Sequence, residues 1–203
     1  MSYGEVVILG AYISTFYQAG VWGWALAATV AACAGALVGG LHYVLLRGVF
    51  ERGRTIESLL LTWGGALVMM ELFRLGFGPS GRFAPSFFSE VWLIGDAPFP
   101  HARVMNLVLV LVACVLLFVS VSALNRRQRL AALAYGHRVA VEYGVPAPPL
   151  LFAVMVLACA TAGISGVIIG QESAITPYGG LQYTILAALA ALVAGPRVLS
   201  GVV

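Results

Sequence analysis

Between Val104 and Leu124 the chain carries no charged side chain. As a helix rising 1.5 Å per residue, such a run matches the roughly 30 Å hydrocarbon core of a bilayer. Lipid offers no water to backbone N–H and C=O groups, so the run is stable there as a helix that satisfies its own backbone. Comparable apolar segments recur along the 203 residues, from Val6 to Ala19, Val21 to Leu46, Ser58 to Phe77, Leu150 to Gly170 and Leu181 to Ala194. The first and the last are short. Trp22 and Trp24 open the second segment, where amphipathic rings favour the membrane–water interface. The last segment stops at Gly195-Pro196-Arg197, since proline lacks the donor a continuing helix needs, and Val198 to Val203 open another apolar stretch. The expected fold is all-α: a polytopic transmembrane bundle of about six apolar segments, forming one domain over residues 1–203.

Composition points the same way. Hydrophobic residues make up 61% of the chain and charged ones 9%, whereas a soluble domain carries about 25% charged residues to clothe its core. In water this chain would expose apolar patches too large for a soluble monomer, so membrane lipid is its solvent. The net charge of +3 comes from eleven arginines against eight acids, with no lysine. The arginines sit in short breaks between apolar runs and not on one face, so they read as membrane-edge residues, and no nucleic acid is expected as a partner. Cys33, Cys114 and Cys159 lie inside apolar stretches without metal-ligand spacing, as small buried hydrophobes do, and no metal or cofactor is expected. Met1-Ser2-Tyr3-Gly4-Glu5 lacks the basic start of a cleavable signal peptide, so Met1 onward is expected to be mature chain.

Basic residues near span ends stay on the cytoplasmic side. The break after the second segment holds Arg47, Arg52 and Arg54, and the break after the fourth holds Arg126, Arg127, Arg129 and Arg138. By contrast, Gly78 to Arg103 holds Arg82 and Arg103 matched by Glu90 and Asp96, and Gln171 to Gly180 holds only Glu172. The two arginine-rich breaks are therefore placed inside and the other two outside. The N-terminus is then cytoplasmic if the first segment crosses fully, while its shortness leaves a partial helix open.

Gly163-Ile164-Ser165-Gly166 matches the G-x-S-G around the nucleophile of rhomboid intramembrane proteases. A serine in lipid needs a base within reach, and His42, His101 and His137 all precede Ser165, whereas the rhomboid histidine lies on a later span. Gly163, Gly166 and Gly170, like Gly35 and Gly39, instead place small residues at helical spacing, which lets helices approach closely. Glu71 and Arg74, at i and i+3 near the outer end of the third segment, are read as a self-paired couple. Glu57 suits the positive end of that helix's dipole, and His42 is read as a hydrogen-bonded packing residue. In the loop 125–146, Leu130-Ala131-Ala132-Leu133-Ala134-Tyr135 and the following turn to Gly144 form an amphipathic helix too short to span. Physics alone leaves two roles for it, lying on the membrane or docking into a groove of another protein.

Several stretches together resemble the LivH-type permease subunits of branched-chain amino acid ABC importers. They are Gly4-Glu5 with Leu9-Gly10-Ala11-Tyr12, Leu45 to Arg54, Glu71 to Gly78, and Ala162-Gly163 through Gly170 to Pro177-Tyr178 and on to Gly195. The resemblance implies a cytoplasmic coupling helix that inserts into the ATP-binding subunit, carried here by Leu130, Ala131, Leu133, Tyr135, Arg138 and Gly144. It implies a subunit without catalysis of its own in a bacterial inner membrane, working with ATP-binding subunits, a second permease and a periplasmic substrate-binding protein. Leucine, isoleucine or valine would cross. Short segments are the usual place for substrate groups, because their helix ends point dipoles inward, so Glu5, Tyr12 and Tyr178 are expected near the pathway. The chain departs from the family at Ala131, Gly136 and Pro146, and the family has further helices before Gly4 and after Gly201. Three rivals stand beside this expectation: a permease for another small solute such as urea, an amide or a simple sugar, a non-transporting membrane scaffold, and an intramembrane serine hydrolase acting through Ser165.

Overall fold

The computed structural model describes residues 2–17, 20–52, 55–85, 91–94, 97–124, 144 and 146–194. Among these residues it forms α1 (Tyr3–Ser14), α2 (Val21–Glu51), α3 (Thr55–Phe77), a hairpin of β1 (Val91–Ile94) and β2 (Ala97–Pro100), α4 (His101–Leu124), α5 (Ala147–Glu172) and α6 (Gly180–Ala194). Helices α2 to α5 are long and apolar enough to cross a membrane, and α1 and α6 are the short apolar helices expected from the sequence. Gly78, at φ +84°, ends α3 in the left-handed conformation, and its N–H bonds the Arg74 carbonyl 3.0 Å away. Proline in the first turn of α5 occupies positions where no intrahelical donor is needed.

The bundle is organised around α1, which is buried on all sides: Val6, Val7, Ile8, Ala11 and Tyr12 are each at most 2% exposed. A helix apolar all round belongs in an interior, and small residues bring its neighbours to backbone contact. A methyl group on Gly10 would strike the Gly163 carbonyl, and one on Gly166 would strike the Val7 carbonyl and the Ala11 nitrogen. On the other side of α5, Gly163 lies on Ala31, Gly35 on Cys159 and Gly39 on Met155. Those pairs run in opposite senses along α2 and α5, so the two helices are antiparallel. Gly10 and Ser14 of α1 meet Gly163 and Gly170 in the same sense, so α1 is parallel to α5. The glycine periodicity of the sequence is therefore a packing code.

The first apolar segment begins earlier than Val6, because Tyr3 to Glu5 join the helix, and ends at Ser14 instead of Ala19. Within the stretch Gly78 to Arg103, β1 and β2 pair antiparallel, Val91 opposite Pro100 and Ile94 opposite Ala97. On the same side of the bundle Arg82 and Ile175 exchange backbone hydrogen bonds of 3.0 and 2.7 Å, tying the segment after α3 to the one after α5.

Candidate functional site

The segment from Ser173 to Gly179 turns back from the C-terminal end of α5 and delivers α6 into the bundle beside the start of α1. Gly4 donates its N–H to Thr184 Oγ1 at 3.0 Å, and that hydroxyl donates to the Gly180 carbonyl at 3.0 Å. The Glu5 carboxylate lies on Gly180, the first residue of α6, where any side chain would overlap it. Since Gly10 is level with Gly163 in the parallel pair, Glu5 stands about a turn and a half lower, opposite the middle of the 26-residue α5. The N-termini of α1 and α6 thus meet beside the middle of α5, with the Glu5 carboxylate against the first residue of α6. Each helix start carries about half a positive charge on its free N–H groups, which favours an anion there.

Glu5 is 5% exposed, and its Oε2 has no hydrogen-bond partner among the described residues. It lines a cavity of about 90 Å³ together with Trp63, Ala66, Leu67, Met70, Leu181 and Thr184, between α1, α3 and α6. Glu5 and Thr184 are the polar side chains of this cleft; the rest of its wall is apolar or aromatic.

Of the three residues expected near a pathway, the structure puts Glu5 in this cleft and the other two elsewhere. Tyr12 is fully buried two turns farther along α1, stacked on Phe77 with centroids 4.1 Å apart and tilted against Phe73 at 5.5 Å. Its hydroxyl has no partner. Arg82 caps the stack, its guanidinium 5.4 Å from the Phe77 ring. Tyr178 is 54% exposed on the segment leading into α6. Of the coupling residues, Leu130, Ala131, Leu133, Tyr135 and Arg138 lie outside the described residues; Gly144 is described, at φ +68°. Gly180, Thr184, Trp63, Ala66, Leu67 and Met70 were not anticipated from the sequence. The Gly179-Gly180 pair ahead of a short apolar segment is the signal that marks a close backbone approach.

Other polar groups are committed locally. Ser165 donates to the Thr161 carbonyl at 2.9 Å, and the apolar cavity it borders, about 130 Å³ between α4 and α5, has no histidine in its lining. His42 Nδ1 donates to the Val38 carbonyl at 2.9 Å, which leaves Nε2 to accept from the Ser2 hydroxyl at 2.7 Å. Arg74 grips Glu71 with two hydrogen bonds of 2.9 and 2.5 Å, the paired couple expected from their spacing. Among the described residues no group of three or more His, Cys, Asp or Glu side chains could hold a metal.

Among the described residues, four helices long and apolar enough to cross a membrane, with two shorter apolar helices whose starts meet inside the bundle beside a buried carboxylate, define a multi-pass helical membrane protein. A family model for the branched-chain amino acid transport system / permease component matches residues 1–203, and the chain belongs to that family. It is a family of transport permease components, not of catalysts. Neither the curated proteins nor the solved structures contain a match to the chain.

Proposed function

We propose that the chain is the membrane-spanning permease subunit of an ATP-driven importer of branched-chain amino acids in a bacterial inner membrane, and that the α1/α3/α6 cleft lies on the translocation pathway. The observation that carries this reading is the meeting of the α1 and α6 N-termini beside the middle of α5, around Glu5. A zwitterion crossing a bilayer needs polar partners where lipid has none, and the ends of interrupted helices supply them without exposing irregular backbone to lipid. Leu67, Met70 and Leu181 offer the apolar wall that an aliphatic side chain requires.

The subunit needs no reaction of its own. ATP-binding subunits would engage the segment from Leu130 to Gly144, with Leu130, Ala131, Leu133, Tyr135 and Arg138 at the contact. A substrate-binding protein would deliver its cargo to the side bearing the β1–β2 hairpin and the return segment before α6. A second permease would complete the pathway across exposed apolar faces such as that of α4. The test is uptake of radiolabelled leucine by liposomes holding the full complex, with ATP inside the compartment of the ATP-binding subunits. ATP-dependent accumulation that unlabelled isoleucine and valine compete away, and urea, amides and sugars do not, is the expected result. Competition by the neutral solutes alone would move the substrate class, and assembly without any uptake would leave a scaffold.

A further inference from the structure

We infer that Glu5 is the counter-ion for a cationic ammonium group, so that the cleft takes its ligand amine-first, with the aliphatic chain along α3 and α6. The inference rests on the reading of this cleft as the translocation pathway and adds the orientation and charge requirement of the ligand.

Three observations point to a cation and not to an anion or a neutral solute. The Glu5 side chain borders the cavity, its Oε2 is buried and meets no donor among the described residues, and a buried carboxylate oxygen left unmet is costly unless something donates to it. Thr184, the other polar side chain of the cleft, already accepts from Gly4 and donates to Gly180, so besides the Trp63 indole N–H the cleft offers the Glu5 carboxylate as its acceptor. The start of α6, which would otherwise attract a substrate carboxylate, already has the Glu5 carboxylate against Gly180, and the Gly4 N–H at the start of α1 is bonded to Thr184. A hard metal ion would need several more oxygens than two side chains supply, whereas an ammonium group can donate to one carboxylate and keep its carbon chain against Ala66, Leu67, Met70 and Leu181.

The test separates the two ends of leucine. In the assembled complex carrying Ala66→Cys, alkylation at position 66 is read by peptide mass spectrometry, with the native cysteines left in place. Two probes are compared: 3-methylbutylamine, which keeps the ammonium, and 4-methylpentanoate, which keeps the carboxylate. The amine is expected to slow alkylation about tenfold at a concentration near ten times its dissociation constant. The acid should not slow it, and Glu5→Gln should abolish the amine's effect. Met70→Cys serves as the reporter if Ala66→Cys fails to assemble. Protection by the acid alone would overturn the proposal and assign the helix starts to a substrate carboxylate, and protection by sodium chloride but not choline chloride would overturn it in favour of a metal ion. Absence of protection by any probe in a complex that imports leucine would also overturn it, placing the pathway elsewhere. Amine protection in a complex that imports no leucine would keep the ammonium site and remove the proposed transport substrate.

Discussion

The Glu5 carboxylate rests on the backbone of Gly180, so closely that a methyl group at position 180 would overlap both of its oxygens. This contact joins the starts of α1 and α6 and holds the carboxylate where two helix dipoles favour it. An isolated charge at the middle of a bilayer costs at least about 2.5 kcal/mol, so an acidic side chain buried in an apolar bundle marks a candidate functional site.

Gly180→Ala should displace the carboxylate and lower stability by about 1–3 kcal/mol, the usual cost of overpacking. Glu5→Ala removes the obstructing group, so the double variant should be less destabilised than the two single changes added together, by about 0.5–3 kcal/mol. Thermal unfolding of the purified variants in detergent measures the difference. Simple additivity would deny the contact.

Two glycine-to-alanine changes should have opposite signs. At Gly64 an added methyl meets open space, and alanine's better helix propensity should stabilise by up to about 1 kcal/mol. At Gly166 it meets backbone of Val7, Gly10 and Ala11, so α1 and α5 must separate and the folded yield in size-exclusion chromatography should collapse. Equal behaviour of the two variants would contradict glycine-mediated packing of α1.

Tyr12→Phe removes a buried hydroxyl that has no partner while keeping the stack on Phe77. Stability should stay level or rise by about 1 kcal/mol, since an unsatisfied buried polar group costs about 1–3 kcal/mol. Tyr12→Ala should lose about 3–5 kcal/mol, as for other large aromatic truncations. If Tyr12→Phe keeps its unfolding midpoint but loses uptake, the hydroxyl touches the substrate and the cleft extends two turns farther outward.

Ser165→Ala deletes a hydroxyl that serves only the Thr161 carbonyl within its own helix. Uptake by the complex should remain within about twofold of wild type, in keeping with the small net worth of a single hydrogen bond. A fluorophosphonate probe should leave Ser165 unlabelled. Covalent labelling there would reopen a hydrolase function.

The four spanning helices were legible because apolar length alone identifies them, and the packing of α5 was legible because Gly163, Gly166 and Gly170 repeat at helical spacing. The start of α1 was less so. A charged residue such as Glu5 at the edge of an apolar run looks like a boundary, whereas burial against Gly180 draws it into the helix. Tyr12 and Tyr178 lie in short or adjoining segments, and sequence could not tell that one turns into an aromatic stack and the other outward. Those outcomes depend on contacts between α1, α3 and the return segment, which are far apart in the chain. The β1–β2 hairpin had a local signal, Gly95-Asp96 between apolar runs, that the polar surroundings obscured.

Passage of the substrate through the α1/α6 junction is tested by leucine uptake into liposomes holding the complete complex, wild type against Glu5→Gln. ATP-dependent uptake by the wild type is expected, with a loss of roughly tenfold or more in the variant, the scale expected when one partner of a buried charge pair is removed, and the complex still assembled. Uptake by Glu5→Gln at the wild-type rate would contradict it.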